Sequence, residues 1–165
     1  MGNVIEFRNI TKYFPGVKAL DDISFTPNGG EVLALMGENG AGKSTLLKVL
    51  NGDYQQTSGE YLVNGEPCHF NSPREAVAAG IGVIYQERQI MLELTVGENI
   101  FLGRLPTGFM GRIKMREVHS RAQAIIDEFG LDMKSTDKVK DLSVAYQQMV
   151  EIMKAYSREN LKMIA

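Results

Sequence analysis

The sequence predicts an α/β fold with an inserted helical segment, because strand-like and helical patterns occupy different parts of the 165-residue chain. Residues 4–10, VIEFRNI, alternate apolar and polar side chains, whereas EVLALM at Glu31–Met36 is nearly all apolar, as in a strand covered on both faces. Helical spacing dominates residues 95–157, and the apolar run LKMIA at Leu161–Ala165 indicates the start of another strand. Further strands are expected over residues 19–26, 57–66 and 81–86.

Capping sequences mark two of the predicted helix starts. Ser72 is followed by Pro73 and Glu75, and Thr95 is followed by Glu98. In each case a hydroxyl and a carboxylate three residues apart can satisfy each other's backbone N–H groups, and proline suits the first helical position. The sequence therefore predicts that helices begin at these two places.

Apolar spacing predicts the longer helices. From Lys114 to Phe129 apolar residues recur at helical spacing, and Gly130 suits the end of that helix. Two more helices are expected over residues 44–50 and 143–156. Together with the capped helices, these segments account for most of the helical half of the chain.

The composition argues against several functions. The formal net charge is −2, so the whole chain has no attraction to nucleic acid, and no nucleic-acid partner is expected. Cys68 is the only cysteine, which leaves no internal disulfide and favours a reducing cytosol. No apolar run approaches the roughly 18 residues of a membrane span, so any membrane role is expected to come through a partner. A basic cluster is interpreted as a solvated helix face: Arg112, Lys114, Arg116 and Arg121.

A phosphate-binding loop is predicted at Gly37–Ser44, where GENGAGKS matches the pattern G-x-x-x-x-G-K-S/T between a strand-like run and a helical run. Glycines let the backbone fold around phosphates so that N–H groups point inward, and the following helix adds a partial positive charge. Lys43 is expected to reach the β- and γ-phosphates, and the hydroxyl of Ser44 is expected to ligate Mg²⁺. The chain is therefore expected to bind a nucleoside triphosphate.

Four further stretches narrow the class of nucleotide-binding protein. KYFPGVKALDDISF precedes the phosphate loop, VIYQE and LTVGENIFLG follow it, and LSVAYQQMVEI lies near the end of the chain. In this order the motifs resemble the ATP-binding subunit of an ABC transporter over essentially the whole chain. The sequence of these motifs is most similar to that of the duplicated ATPase subunits that drive bacterial import of monosaccharides such as arabinose, ribose, galactose or xylose.

The resemblance implies an α/β fold with a P-loop NTPase core of the ABC ATPase type, an antiparallel β subdomain and an inserted helical subdomain, truncated before Walker B. It implies the β subdomain and P-loop core at residues 1–90, a helical subdomain that docks on the permease at residues 91–157, and the start of the Walker B strand at residues 158–165. The acidic Walker B pair would follow Ala165, so the chain is expected to be the N-terminal part of a longer, two-domain ATPase. ATP hydrolysis is implied for that longer protein, whereas this chain is expected to bind ATP without turning it over.

The resemblance also implies the residues of the nucleotide site. Phe14 resembles the aromatic residue on which adenine stacks, in preference to its neighbour Tyr13, although the residues alone favour a core phenylalanine that closes a hairpin. Gln86 resembles the glutamine that approaches Mg²⁺ or the attacking water and reports the nucleotide state to the transmembrane partner. Lys43 and Gln86 are thus the catalytic candidates, and Ser44 and Gln86 are the candidate Mg²⁺ ligands. The residues expected to bind ATP are Phe14, Gly37, Asn39, Gly40, Ala41, Gly42, Lys43, Ser44 and Thr45.

The signature motif departs from the family pattern L-S-G-G-Q, because this chain has Leu142, Ser143, Val144, Ala145 and Tyr146. In the family, the motif of one domain completes the ATP site of its partner, head to tail. Ser143 stands at the expected N-cap of the next helix, where it can contact phosphate. A Cβ at Ala145 restricts close approach to a phosphate, and a left-handed backbone there would cost ~1–2 kcal/mol. The site that this motif completes is therefore expected to be weakened.

The resemblance implies transmembrane permease subunits and a second ATPase domain as partners, with a periplasmic sugar-binding protein as an indirect one. It places the protein at the cytoplasmic face of the inner membrane as a peripheral subunit. Two alternatives stay open: an ABC ATPase of DNA repair or translation that never meets a membrane, and a nucleotide-binding fragment without activity. The stretches LSVAYQQMVEI and FPGVKALDD favour the importer over the first alternative.

Overall fold

The computed structural model describes residues 5–84, 89–158 and 161–165. The chain forms two compact units, of which one contains the residues up to Gly82 together with Ala165, and the other runs from Val83 to Ile164. No helix in the described part of the chain combines the length and the apolar character needed to cross a membrane.

The first unit is built on a four-stranded antiparallel sheet with the spatial order β2–β1–β3–β4. Phe7 of the central strand β1 is paired with Phe25 of β2 on one side and with Tyr61 of β3 on the other. The tight turn at Asn64 and Gly65, where both residues have positive φ, joins β3 to β4, as expected of an Asn-Gly hairpin turn. The strands are β1 (Ile5–Phe14), β2 (Val17–Phe25), β3 (Ser58–Val63) and β4 (Glu66–Cys68).

Aromatic packing builds the core of this sheet. The rings of Phe7 and Phe25 stack with their centroids 4.3 Å apart. Tyr61 is fully buried, and its hydroxyl accepts a hydrogen bond of 3.0 Å from the backbone N–H of Phe70. Burial raises the pKa of the Tyr61 phenol, so this hydroxyl stays neutral and satisfies a buried donor.

Two helices and a short strand complete the first unit: α1 (Lys43–Leu50), α2 (Pro73–Ala78) and β5 (Ile81–Gly82). The predicted N-cap of α2 is present, because the hydroxyl of Ser72 accepts from the Glu75 N–H. The Glu75 carboxylate, however, accepts from the backbone N–H of Asn71 rather than from that of Ser72. The sequence thus placed the helix start correctly but predicted one partner of its cap wrongly.

The predicted buried strand at Glu31–Met36 is wrong. The segment has no strand geometry, and the side chain of Val32 is 97% exposed. An apolar run becomes an inner strand only when neighbours on both sides bond to its backbone. No strand flanks this run in the described residues. Glu31 instead closes a local turn, where its carboxylate accepts hydrogen bonds from the backbone and side chain of Asn28.

The second unit is helical, with α3 (Val96–Ile100), α4 (Met115–Glu128) and α5 (Val144–Tyr156) around one apolar core. The predicted capping box at the start of α3 is complete, because Thr95 and Glu98 each accept from the other's backbone N–H. The fully buried side chains of this core come from all three helices and from the loop before α5: Val96, Ile100, Val118, Ala122, Ile126, Val139, Val150 and Met153.

Two strands are shorter than the sequence predicts. The expected strand over residues 81–86 reduces to β5 and then leaves strand geometry at Val83 and Ile84, beyond which residues 85–88 are not described. The expected strand at Leu161–Ala165 reduces to β6 (Met163–Ile164). Within the first unit the backbone N–H of Ala165 donates a 2.9 Å hydrogen bond to the carbonyl of Gly82.

Candidate functional site

The predicted phosphate loop leads directly into α1. Gly42 is the N-cap of this helix and has φ +87°, and Gly40 in the middle of the loop has φ +90°. Both values lie in the left-handed region, which glycine adopts without steric cost. No side chain caps the helix, so the N–H groups of its first turn have no side-chain acceptor. The loop therefore presents uncapped backbone donors at the positive end of a helix.

The ammonium of Lys43 is bound to the loop itself. Its Nζ donates hydrogen bonds of 2.6 Å to the carbonyl oxygen of Gly37 and 2.7 Å to that of Glu38. The cation thus lies against the loop and is satisfied by two neutral acceptors. A phosphate oxygen is a charged and therefore stronger acceptor, so it can replace these carbonyls.

Close packing fixes this loop against the sheet. The backbone of Gly42 lies against β2, where an added Cβ would overlap the carbonyl oxygen of Ala19 and come within 2.9 Å of the Leu20 side chain. Leu20 is itself paired with Lys12 of β1. The start of α1 is therefore held in a defined place relative to the hairpin that carries Phe14.

The aromatic candidate Phe14 lies in a cluster of rings and cations at the end of β1. Its half-buried ring meets the edge of Tyr54 with centroids 5.2 Å apart, and Lys12 Nζ lies 5.1 Å from the Phe14 centroid. Tyr13 is 48% exposed, and Lys18 Nζ lies 5.5 Å from its ring. Both aromatic residues stay candidates for stacking, and the ring of Phe14 packs against that of Tyr54.

Two residues of this cluster were missed by the sequence analysis. Tyr54 lies between two cations, because Lys12 Nζ is 5.9 Å and Lys48 Nζ is 5.3 Å from its ring centroid. Lys48 follows Ser44 by one helical turn in α1, which is a local signal that could have been noticed. Tyr54 belongs to no motif, and only the fold brings it to Phe14.

The residues present fit a polyphosphate. The left-handed glycines, the uncapped first turn of α1 and the cation of Lys43 converge on one exposed loop, and this combination is an anion-binding arrangement. Ser44 is exposed in that first turn, where its hydroxyl is free of any capping role. A hard oxygen ligand at this place suits Mg²⁺ held together with phosphate oxygens.

The signature segment forms the exposed start of α5 in the second unit. The hydroxyl of Ser143 accepts from the N–H of Tyr146 and caps the helix, as the sequence predicted. Ala145 lies inside α5 with right-handed backbone geometry, so the cost of a left-handed backbone does not arise, and alanine is well suited to a helix. The restriction on phosphate approach by its Cβ stays a prediction. Tyr146 is half-buried and packs against the apolar core of the second unit.

The buried side chain of Gln147 stabilises the signature segment. Its side-chain amide is buried and donates 3.1 Å hydrogen bonds to the carbonyl oxygens of both Val139 and Leu142. These bonds join the loop before the signature to the first turn of α5. The position of Gln147 in the sequence gives no indication that its side chain is buried, so its role was not predicted.

Gln86 lies outside the described residues. Gln89, three residues further along the chain, is bound by side chains of α5. The backbone N–H of Gln89 donates to Glu151 at 2.6 Å, and Lys154 Nζ donates to the Gln89 carbonyl at 2.9 Å. Burial lowers the pKa of Lys154, and repulsion from Arg158 acts in the same direction. Two side chains one turn apart thus bind both backbone polar groups of a single residue.

The comparisons with known proteins cover nearly the whole chain. A protein-family model described as "ABC transporter" matches residues 20–164. The chain is 50% identical over all its 165 residues to "Arabinose import ATP-binding protein AraG 1" of Burkholderia ambifaria, and covers 32% of that protein. It is 50% identical over 161 residues to "Arabinose import ATP-binding protein AraG" of Vibrio parahaemolyticus, and covers 31% of it. The chain therefore spans about a third of the length of these curated relatives.

Solved structures agree on the architecture. The chain superimposes on an ATP-binding cassette of an ABC transporter in its ADP conformation with a TM-score of 0.80 and 28% identity, over 99% of this chain and 68% of the other. A nucleotide-free cassette gives a TM-score of 0.78 at 29% identity, over 98% of this chain and 67% of the other. The predicted combination of an antiparallel β subdomain and a helical subdomain is thereby confirmed.

Proposed function

The chain belongs to the ABC transporter family, and from this premise we propose that it is part of an ATP-binding subunit that couples ATP binding and hydrolysis to the import of a sugar. The single structural observation that carries nucleotide binding is the uncapped start of α1 beside the Lys43 ammonium. The monosaccharide class is supported by two relatives named as arabinose import proteins, each 50% identical to this chain.

We assign the polyphosphate to the loop at Gly37–Thr45. In this assignment Lys43 releases the carbonyls of Gly37 and Glu38 and binds the β- and γ-phosphates, while the first-turn N–H groups of α1 bind phosphate oxygens. The remaining loop residues, Asn39, Gly40, Ala41 and Gly42, shape the backbone around the phosphates.

The base and the metal are assigned to other residues of the chain. Phe14 offers its ring to adenine, with Tyr54 holding it in place from the edge. Ser44 and Gln86 are the proposed ligands of Mg²⁺, which when bound neutralises charge on the phosphates. Gln86 also serves as the residue that senses the γ-phosphate, and Lys43 and Gln86 are the catalytic residues that we assign to this chain.

The start of α5 is proposed to serve a second ATPase domain. Ser143 is exposed at the helix N-terminus with the cap already made by its hydroxyl, and the neighbouring Val144 and Ala145 leave the helix end open to solvent. A γ-phosphate of a partner domain can approach this end, head to tail, because the helix start is positive. Residues Leu142–Tyr146 are therefore the proposed partner-site motif.

Residues 1–90 are proposed as the β subdomain and P-loop core, residues 91–157 as the helical subdomain that meets the permease, and residues 158–165 as the start of the next core strand. In the whole protein this subunit is proposed to hydrolyse ATP at the cytoplasmic face of the inner membrane, bound to permease subunits that receive sugar from a periplasmic binding protein. The name of the relatives as import proteins supports this arrangement.

A titration of ATP with Mg²⁺ tests the nucleotide site. Lys43→Ala is expected to abolish detectable binding, because it removes the cation assigned to the phosphates. Lys140→Ala is the matched control, since Lys140 is an exposed lysine paired with Glu93. Equal affinities for Lys43→Ala and the unchanged chain would contradict the assignment of the phosphate loop.

An uptake experiment tests the transport function. Cells that carry the whole gene with Lys43→Ala are expected to lose uptake of one labelled monosaccharide, with arabinose as the first to be measured. Cells with Lys140→Ala are expected to keep it. Uptake that is unchanged for arabinose, ribose, galactose and xylose would contradict the importer assignment while leaving nucleotide binding in place.

A further inference from the structure

A tight hairpin projects from the second unit between α3 and α4. The N–H of Lys114 donates 2.9 Å to the carbonyl of Pro106, and the N–H of Gly108 donates 2.8 Å to that of Arg112. A bridge between Thr107 and Ile113 lies between these bonds. The segment 106–114 is therefore an ordered hairpin with a short turn at its tip.

The tip carries two large apolar side chains in solvent. Phe109 is 89% exposed and Met110 is 85% exposed, so almost nothing in the described part of the chain covers them. Met110 adopts a left-handed backbone with φ +59°, which an unbranched residue seldom does, and this turns consecutive apolar residues outward at the apex. Both side chains therefore project into solvent at the apex of the hairpin.

Basic residues outnumber acidic ones around the tip, where the carboxylate of Glu117 lies 3.4 Å from Lys114 Nζ. No acidic residue occurs between Asn99 and Arg116, although the whole chain has a net charge of −2. Arg112, Lys114 and Arg116 are exposed beside the tip, and the aliphatic part of Lys114 lies against the backbone of Gly108. Contrary to the interpretation of a helix face, Arg112 and Lys114 precede α4 and lie on the hairpin.

We propose that this hairpin inserts Phe109 and Met110 into the surface of an anionic lipid bilayer, with Arg112, Lys114 and Arg116 on the lipid headgroups. The inference does not rest on the proposed transport function, because it concerns neither the nucleotide nor the permease. It differs from the sequence-based expectation that any membrane contact comes only through a partner.

Shape and charge favour a bilayer over a protein surface. Side chains that project from an apex require a pocket in a protein partner, whereas the boundary between headgroups and acyl chains accepts them without one. Basic residues near an anionic surface add attraction in the same direction. A second copy of the tip is disfavoured as a partner, because the two sets of cations would repel each other.

The chain contains no tryptophan, so Phe109→Trp introduces a single fluorophore at the tip. With vesicles of equal parts phosphatidylglycerol and phosphatidylcholine, its emission is expected to move to shorter wavelength and to be quenched by brominated acyl chains. Val17→Trp is the matched control, because Val17 is 60% exposed in another hairpin and lies beside Lys18. Its emission is expected to stay unchanged.

Further substitutions in the Phe109→Trp background separate the contribution of the basic residues from that of the apolar side chains. Arg112→Gln is expected to weaken vesicle binding about fivefold, the factor that corresponds to about 1 kcal/mol per basic residue. Lys114→Gln is expected to have a smaller effect, because Lys114 is already paired with Glu117. Met110→Asn introduces a residue that tolerates the left-handed backbone, so the turn is preserved while apolar surface is removed. It is expected to weaken vesicle binding roughly tenfold. Lys140→Gln is expected to have less than a twofold effect, since Lys140 is an exposed lysine away from the hairpin in sequence.

Circular dichroism and thermal unfolding establish that each variant is folded. Three results would overturn the proposal: no spectral change with anionic vesicles, an equal change with pure phosphatidylcholine vesicles, or a change that grows with protein concentration in the absence of lipid. The last of these would assign the tip to contacts between copies of the chain.

Discussion

Gly42 lies against the backbone of Ala19 so closely that the space between α1 and β2 has no room for a side chain at position 42. The contact joins the first residue before α1 to the second strand of the sheet, more than 20 residues earlier in the chain. Because Gly42 also has a left-handed backbone, both its conformation and its position depend on the absence of a Cβ.

Gly42→Ala is therefore expected to displace the phosphate loop. The left-handed backbone alone costs about 1–2 kcal/mol for a residue with a Cβ, and the overlap with Ala19 adds to that cost. The free energy of unfolding in urea should fall by more than about 2 kcal/mol, and ATP binding should be lost in the same variant. A variant with unchanged ATP affinity would contradict the placement of the loop.

Gly40→Ala is the matched control for Gly42→Ala. Gly40 also has a left-handed backbone, with φ +90°, but an added Cβ there would have no atom within 4 Å. Only the backbone strain of about 1–2 kcal/mol is expected here. Comparing the two urea curves isolates the contribution of the contact with Ala19. Equal losses in both variants would show that the contact adds nothing.

Phe14→Ala and Tyr13→Ala distinguish the two candidates for stacking on adenine. If Phe14 stacks on the base, its removal should weaken ATP binding by about 1–3 kcal/mol, whereas Tyr13→Ala should have little effect. Because the base and not the phosphates is involved, inorganic triphosphate should bind equally to both variants. The reverse order of the two affinities would assign the stacking to Tyr13.

Glu98 should make the stability of the second unit depend on pH. Hydrogen bonds from the side chain and backbone of Thr95 hold the pKa of the Glu98 carboxyl below its usual value. Since the folded-state pKa is lowered, the stabilisation is fully present above the ordinary glutamate pKa of about 4.3 and is lost as the pH falls through the lowered folded value.

Glu98→Gln measures this effect. The variant should be less stable than the unchanged chain by about 1 kcal/mol near neutral pH, and the two free energies of unfolding should converge in acid. Glu93→Gln is the control, because the carboxylate of Glu93 is paired with Lys140 at the surface, where an ion pair contributes little. A difference for Glu98→Gln that stays constant with pH would contradict the role of the capping box.

Ala145→Gly restores the glycine of the family signature but is expected to destabilise this chain. Ala145 lies in the first turns of α5 with helical geometry, and glycine in a helix is less stable than alanine by about 1 kcal/mol. The free energy of unfolding should fall by up to that amount, with the loss reduced because the position is near the helix end. An increase in stability would mean that the start of α5 is strained with alanine.

Local features of the sequence predicted local features of the structure well. The phosphate loop leads into a helix where its motif requires one, and the capping box at Thr95 and Glu98 forms as its spacing indicates. Both depend on groups only a few residues apart, so the residues themselves carry the information. The strands expected over residues 4–10 and 19–26 are present, but they extend to Phe14 and begin at Val17, so the hairpin is longer than its alternating pattern predicts.

Predictions that needed distant partners failed or were never made. The apolar run Glu31–Met36 has the composition of a buried strand, but composition cannot supply the neighbouring strands that would bond to it. Tyr54 reaches Phe14 only through the packing of the first unit, and Gln89 is held by Glu151 and Lys154 from 62 and 65 residues away. No pattern within a short window indicates such contacts.

The sequence by itself determined the class of site, because the order of glycines, lysine and serine in the phosphate loop specifies backbone donors and one cation for an anion. Only the tertiary structure decided that Lys43 rests on the carbonyls of Gly37 and Glu38, and that Ala145 is helical. It also decided that Arg112 and Lys114 flank an exposed apolar hairpin tip instead of lying on a helix. The physical reason is that φ preferences and capping act between near neighbours, whereas side-chain environment depends on which distant segments pack together.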